Sequence, residues 1–255
     1  MKSYLLMVAV LAAGSVQAWD CAHERKLETT LDLADAQSLT VRAAAGDLVV
    51  NGRPGLTEAH IRGKLCASEE EWLDEARIDT EGGRNAAVYV TLPDSSGWSL
   101  MGSRYIYMDL EIDVPEDLAL DISDSSGDIE IEGTGPLEVS DSSGDIDIER
   151  IGGGVVLEDS SGDIELEDIE GDVLVRRDSS GGIYGRGIEG SVRVERDSSG
   201  EIDFRDVRDD FVVERDSSGD IVADTIGGDF RVLKDGSGDI EMRGVEGAVE
   251  IPDKG

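Results

Sequence analysis

The chain has 255 residues, with 32 glycines, 4% aromatic side chains and a formal net charge of −35. That acidity argues against nucleic acid and anionic membrane surfaces as partners, because phosphate would be repelled, and so few rings leave no aromatic-packed globular core. Disorder is excluded too, because Ile, Val and Leu return at fixed intervals.

The first element is Lys2, then the apolar run YLLMVAVLAAG and SVQA, with Val16 and Ala18 at the −3 and −1 positions that signal peptidase reads. A signal peptide over residues 1–18 is expected, cleaved after Ala18. The run is short for an uncleaved anchor, and Trp19 and Asp20 ahead of Cys21 do not make a lipobox. Losing one of 23 bases against 58 acids takes the charge to −36. The expected product is exported, periplasmic or secreted to the envelope, with no transmembrane span. Its two cysteines, Cys21 and Cys66, are expected to pair as they do in oxidising compartments. Closing that loop of about 45 residues stabilises by roughly 4 kcal/mol on the chain-entropy estimate. Zinc is disfavoured, with only His23 and His60 available and no C-x-x-C spacing.

Residues 19–122 read as an irregular N-terminal part. SLTVRAAAGDLVVNG carries a degenerate corner, Gly46 and Asp47 ahead of Leu48 and Val50, and is expected to begin the sheet. ASEEEWLDEARI breaks the pattern: Ser68 as N-cap, Glu71 in the capping-box position and acids in the first turn predict a short helix near 68–78, placed to cap the open first coil. YIYMDLEIDVP alternates Ile106, Met108, Leu110, Ile112 and Val114 on one face, predicting a strand that ends at Pro115. Tyr105 and Tyr107 lie on its other face and are expected to pack under the neighbouring loop PDSSGWSLMGS.

Residues 123–251 are a repeat. D-S-S-G returns at Asp124, Asp141, Asp159, Asp178, Asp197 and Asp216 and closes as D-G-S-G at Asp235, with spacings of 17, 18, 19, 19, 19 and 19. Behind each corner the apolar residues keep one register, as in Ile164, Leu166, Ile169, Val173 and Val175, then Ile202, Phe204, Val207, Phe211 and Val213. Steps of two mark short strands and the larger gaps mark Gly-rich turns. Two short strands per coil of 17–19 residues cannot bury their apolar face alone, so coils must stack. The fold class is all-β: a parallel β-solenoid with irregular N-terminal coils and one short helix. Seven coils at about 4.8 Å make a rod roughly 30 Å long. Gly185 holds the slot that Phe204 fills one coil later, as though making room for the ring.

The seven corner aspartates are therefore structural: Asp accepts a nearby backbone N–H, Ser adds little bulk and Gly tolerates positive φ. Serine catalysis finds no support, since no G-x-S-x-G elbow and no histidine lies in the repeats. Calcium-binding rolls repeat G-G-x-G-x-D-x-U-x every nine residues, near half this period. Here Asp follows Gly directly, which sends the carboxylate to the other side of the strand, so no specific metal site is expected and calcium remains a weak ligand at most. GRGIEG at 185–190 matches G-x-G-x-x-G, but the strand-like SVRVE follows where a dinucleotide fold needs a helix. No cofactor is expected.

Charge divides the repeats. Residues 121–170 hold 17 acids and one base, Arg150, whereas residues 171–240 hold 17 acids and ten bases. The residue before the corner Asp is Ser140 or Glu158 early and Arg177, Arg196, Arg215 or Lys234 later, which predicts a basic column beside the Asp column. The early coils lack that relief. Asp128, Glu130, Asp145, Asp147, Asp163 and Glu165 are the candidate face for weak divalent-cation binding or a basic partner, against the plainer reading of a solvated acidic surface. In the tail, residues 252–255, Pro252 and Lys254 block the edge, so open filament growth is disfavoured and a monomer is expected.

The recurring S-G-D-I-x-[IVL], the I-x-G before the second strand, the exported N-terminus and the DVPEDLALDIS lead-in resemble the bacterial adhesin-like β-strand-repeat domain of unknown function, over roughly residues 38–251. The resemblance implies a parallel β-solenoid in a cell-envelope protein and carries no catalytic residues. The functional expectation is a non-enzymatic, exported acidic scaffold or binding surface for an unidentified envelope protein or surface ligand. The alternatives are a cation-dependent adhesin or calcium-binding roll and, third, a carboxylate-based polysaccharide-active enzyme, for which coils differing by two residues at most offer little material for a cleft.

Overall fold

A computed structural model describes residues 21–95 and 104–252. The expected signal peptide, most of the loop PDSSGWSLMGS and Lys254 lie outside the described residues. Among those described, no helix is long and apolar enough to cross a membrane.

The N-terminal part contributes β1 (His23–Asp32), β2 (Ser38–Arg42), β3 (Leu48–Arg53), β4 (Glu58–Ala67), α1 (Trp72–Glu75), β5 (Arg77–Glu81), β6 (Asn85–Thr91) and β7 (Ile106–Pro115). The repeats then contribute one pair per coil: β8 (Ala119–Ser123) with β9 (Ile129–Glu132), β10 (Leu137–Ser140) with β11 (Ile146–Ile151), β12 (Val155–Glu158) with β13 (Ile164–Ile169), and β14 (Val173–Arg177) with β15 (Ile183–Ile188). β16 (Val192–Val194) with β17 (Ile202–Val207), β18 (Phe211–Val213) with β19 (Ile221–Ile226), and β20 (Phe230–Val232) with β21 (Ile240–Val245) follow, and β22 (Val249–Glu250) closes the stack.

The strands form two 11-stranded sheets, β1-β4-β7-β3-β9-β11-β13-β15-β17-β19-β21 and β22-β20-β18-β16-β14-β12-β10-β8-β2-β6-β5. Every pairing between regular coils is parallel and stacks the apolar slots on one another, Ile146 on Ile164 and Ile164 on Ile183, Val155 on Val173 and Val173 on Val192, with one register shift past Leu157 that sets Glu158 opposite Arg177. The parallel β-solenoid expected from the 17–19-residue period is thus the observed fold. Its inward positions, Ile129 through Ile226 in one sheet and Leu137 through Val232 in the other, form one continuous buried core, each Ile or Val contributing about 2 kcal/mol by burial.

Three details of the fold differ from expectation. The SLTVRAAAGDLVVNG coil does not begin the stack. β2 lies between β6 and β8, and β3 between β7 and β9, because β6 and β7 return to its outer edge. β7 has a long alternating face and pairs on both sides, parallel to β3 and antiparallel to β4. The first end is closed by antiparallel strands, β1 on β4 and β5 on β6.

The helix is one turn, Trp72–Glu75, and Ser68 does not cap it: its cap position is Glu71, with no side-chain cap hydrogen bond. The Ser68 hydroxyl instead accepts the Tyr105 N–H at 3.2 Å. Burial of Trp72 and Leu73 against Leu65, Ile106 and Met108, in a small core of its own, holds the helix instead.

Finally, the step of three in Ile164, Leu166, Ile169 is no turn. The strand runs through it on a left-handed residue, Asp168 at φ 57°, and Glu167 and Ile169 still pair with the next coil. One extra residue in the left-handed region rotates the chain and brings Ile169 back to the core side.

Candidate functional site

The corners stack as closely as the strands. Gly144 N–H donates to the Ser161 carbonyl at 3.0 Å and Gly162 N–H to that of Ser180 at 3.1 Å. The second serine of each corner donates its hydroxyl to the carbonyl of the first serine one coil back: Ser143 to Ser125, Ser161 to Ser142, Ser180 to Ser160, Ser199 to Ser179 and Ser218 to Ser198, at 3.2–3.4 Å. These serines are stitches between coils, which is the role the repetition demands.

The corner aspartates point inward. Asp124, Asp141, Asp159, Asp178, Asp197 and Asp216 are 0–7% exposed, while Asp235 in the last corner is half-buried. Their burial is the feature that sequence reading missed, since a charged turn residue is ordinarily solvated. The fixed register of apolar residues on either side was the signal that could have revealed it. Arg177, Arg196, Arg215 and Lys234 do not neutralise them. As adjacent residues they point the opposite way, into solvent, and of the four only Arg177 makes an ion pair among the described residues, with Glu158 at 3.9 Å.

The acids of the early coils gather on the outward face of the sheet holding β9, β11 and β13. Parallel register sets Glu130, Asp147 and Glu165 in one row across the strands and Glu132, Glu149 and Glu167 in the next, about 4.8 Å apart along the rod and roughly 7 Å apart along each strand. Asp128, Asp145 and Asp163 form a third row at the strand starts. One oxygen of each is committed: Asp128 accepts the Asp145 N–H at 3.0 Å, Asp145 that of Asp163 at 2.9 Å, and Asp163 that of Gly182 at 2.7 Å. The candidate face is thus nine carboxylates in a three-by-three grid, and Glu132, Glu149 and Glu167 are its members that the sequence reading left out.

The grid is unevenly compensated. Arg150 pairs with Glu132 and Glu149, and Arg186 with Glu167. No ion pair among the described residues reaches Asp128, Glu130, Asp145, Asp147, Asp163 or Glu165. Partial desolvation, with Asp147 and Glu167 alongside, raises the Glu149 pKa. A shallow groove of about 270 Å³ crosses this face between Asp147, Glu149, Glu165 and Glu167 on one side and Tyr184 and Arg186 on the other. Elsewhere acids meet bases directly. On β7, Asp113 and Glu111 bind Arg62 of β4 at 2.7 Å each, and the later coils pair Arg193 with Glu214, Arg205 with Asp203 and Arg208 with Glu189. A larger groove, about 740 Å³ along the other sheet, runs over Val156, Leu174 and Val212 with acids and bases mixed at its rim. No group of three or more His, Cys, Asp or Glu among the described residues is arranged to hold a metal ion.

At the closed end Cys21 and Cys66 form the expected disulfide, with Cα atoms 5.6 Å apart. Tyr105 and Tyr107 lie beside it, with ring centroids 6.3 Å apart, and the Tyr105 hydroxyl accepts the Ala22 N–H at 3.2 Å. The loop expected to cover them lies mostly outside the described residues.

Stacked two-strand coils, in-register corners and an acidic outer face define a parallel β-solenoid repeat protein. The chain belongs to the Toastrack DUF4097 family, whose model matches residues 70–251, in agreement with the resemblance carried by the S-G-D-I repeat. No curated protein matches it. Among solved structures, a candidate adhesin from Bacteroides fragilis NCTC 9343 is 12% identical, with 89% of this chain and 97% of that one covered and a TM-score of 0.45. A candidate lipid-binding protein from Parabacteroides distasonis ATCC 8503 is 15% identical, with 89% and 97% covered and a TM-score of 0.38. A candidate cell adhesion protein from Clostridium sporogenes ATCC 15579 is also 15% identical, with 90% and 100% covered and a TM-score of 0.35.

Proposed function

We propose that the protein is an exported, non-enzymatic binding scaffold of the cell envelope, and that its binding face is the acidic grid of β9, β11 and β13, which takes up divalent cations weakly. The observation that carries this reading is the selective lack of compensation. Among the described residues no ion pair reaches Asp128, Glu130, Asp145, Asp147, Asp163 or Glu165, whereas Arg150 and Arg186 pair with the third row of the same grid, Glu132, Glu149 and Glu167. Two like charges 4.8 Å apart repel by roughly 0.9 kcal/mol in water and more near a protein surface, so a flat array of them gains most from a bound cation. Oxygen donors of this type suit calcium. The non-enzymatic reading is supported by the corner serines, whose hydroxyls are used in stitching coils. Export rests on the N-terminal sequence and on the paired cysteines.

Calorimetry with calcium tests the reading on the wild type and on D145N/D147N/D163N/E165Q, in which Asn keeps the oxygen that accepts the next coil's N–H. Heat and an upward melting shift in the wild type, both lost in the variant, are expected. Equal heats and equal shifts in the two proteins would reduce the face to a solvated surface. A pull-down from envelope extract with and without chelator then separates a cation-dependent partner from one that binds the acids directly.

A further inference from the structure

The interior of the rod holds a second set of carboxyls that the acidic face does not involve. Asp178 and Asp197 are fully buried and Asp216 is 1% exposed. Each has one oxygen on a backbone N–H of its own corner, from Ser179 at 2.7 Å, Ser198 at 2.6 Å and Ser218 at 3.0 Å. The other oxygen of each is buried with no N–H or hydroxyl donor. In the earlier coils neither oxygen of Asp124, Asp141 or Asp159 has a well-formed hydrogen bond, although the N–H groups of the two corner serines lie close enough to lower their pKa in part.

In the later coils the next corner aspartate lies beside each of these carboxyls. Asp178 meets Asp197, and Asp197 meets Asp216, within side-chain hydrogen-bonding reach. A carboxylate is an acceptor only, so two such oxygens can bond only if one carries a proton. An unpaired buried carboxylate costs far more than a neutral acid that donates to its neighbour. Among the described residues no base faces the column to do the same work. The charged groups facing the column are Asp47 and Asp141 at Asp124, Asp128 at Asp141, and Asp141 and Asp145 at Asp159. Further along they are Asp159 at Asp178 and Asp235 at Asp216, besides the column's own neighbours. Arg177, Arg196, Arg215 and Lys234 are exposed on the outer side.

We propose that the buried aspartate column is a proton-sharing ladder, in which carboxylic acids donate to carboxylates from coil to coil, so that folding takes up protons and mild acid strengthens the rod. Burial is the first cause that raises these groups, the neighbouring carboxylates a further one: Asp124 and Asp216 to about 7, and Asp159, Asp178 and Asp197 to about 6. A carboxyl raised on folding contributes stability that is complete below its unfolded value near 4 and is lost as pH rises through the folded value. The window is therefore about pH 4 to 7.

Urea unfolding of the whole chain between pH 4.5 and 8, in enough salt to screen surface self-repulsion, reads this directly. The wild-type midpoint is expected to rise as pH falls from 8 to 5, with uptake of about two protons or more on folding near pH 6. D178N/D197N, in which the amide supplies the missing donor, is expected to raise the midpoint at pH 8 and flatten the rise. A wild-type midpoint that does not change with pH, or a variant that keeps the whole rise, would overturn the ladder. Should the variant fail to fold, the wild-type carboxyl carbon shifts decide alone: a set of aspartates must titrate at least about one unit above the rest, and their absence sinks the proposal. A pH 8 midpoint that falls on chelation even in D145N/D147N/D163N/E165Q, which lacks the outer acidic face, would assign the orphan oxygens to a bound cation and overturn it equally.

Discussion

At the scale of single residues, the corner glycines are the least replaceable positions in the molecule. Gly127, Gly144, Gly162, Gly181, Gly200, Gly219 and Gly238 all hold φ between +123° and +147°, and a Cβ on any of them would overlap the carbonyl oxygen of the corner glycine one coil back. Two constraints coincide: a conformation that L side chains avoid, and backbone contact at strand spacing. Gly162→Ala is expected to cost on the order of 3 kcal/mol or more. Gly55→Ala, also at positive φ but with open space around it, is expected to cost only about 1 kcal/mol. Urea denaturation of the two variants checks the contrast, and equal losses would show that stacking adds nothing to the backbone requirement.

Among the elements, the closed end shows how tertiary contacts displace local signals. Ser68 and Glu71 read as a capping box, yet α1 starts at Trp72 without either side chain capping it. The hydroxyl of Ser68 is worth more on the Tyr105 N–H, because that bond ties the end of β4 to the start of β7, where the Ser68 N–H also reaches the Tyr105 carbonyl at 2.9 Å. Ser68→Ala is therefore expected to lose about 1 kcal/mol, with faster hydrogen exchange at the Tyr105 amide and little change across Trp72–Glu75. Faster exchange confined to the helix would restore the cap. Within the repeats the elements cooperate by size: Gly185 lies opposite Phe204, and a Cβ there would enter the ring. Phe204, Phe211 and Phe230 then continue as a line of rings with centroids 5.1 and 5.4 Å apart.

For the whole molecule, the two ends are unlike. The first is closed by antiparallel strands, the helix and the disulfide; in the last coil Ile240, Met242 and Val245 are only half-buried and Val249 is exposed. In a stack whose coils touch only their neighbours, stability is distributed by position, so the Cys21–Cys66 bond should act mostly on the closed end. Reduction is expected to lower stability by up to about 4 kcal/mol, with β1 and β4 losing exchange protection first. Intact-mass analysis of natively purified protein should find no alkylatable thiol; finding two would show that the bond does not form.

The amino-acid pattern by itself determined the solenoid, because a period of 17–19 residues with Ile and Val in constant slots has no other way to bury its apolar face than to stack on its neighbours. It likewise determined the strand over Ile106–Pro115, the Gly185 vacancy and the placing of Glu130, Asp147 and Glu165 on one outward face, since alternation and register carry side chains to one face without further information. Tertiary structure alone decided the rest. The order of coils at the N-terminal end depends on which edges β6 and β7 find open, a long-range choice invisible in local periodicity. The third row of the grid, Glu132, Glu149 and Glu167, is acidic in sequence but distinguished only by where Arg150 and Arg186 reach. The inward turn of the corner aspartates arises because each coil shields the next, so a residue that is polar and turn-forming in isolation becomes part of the interior once seven copies lie on one another.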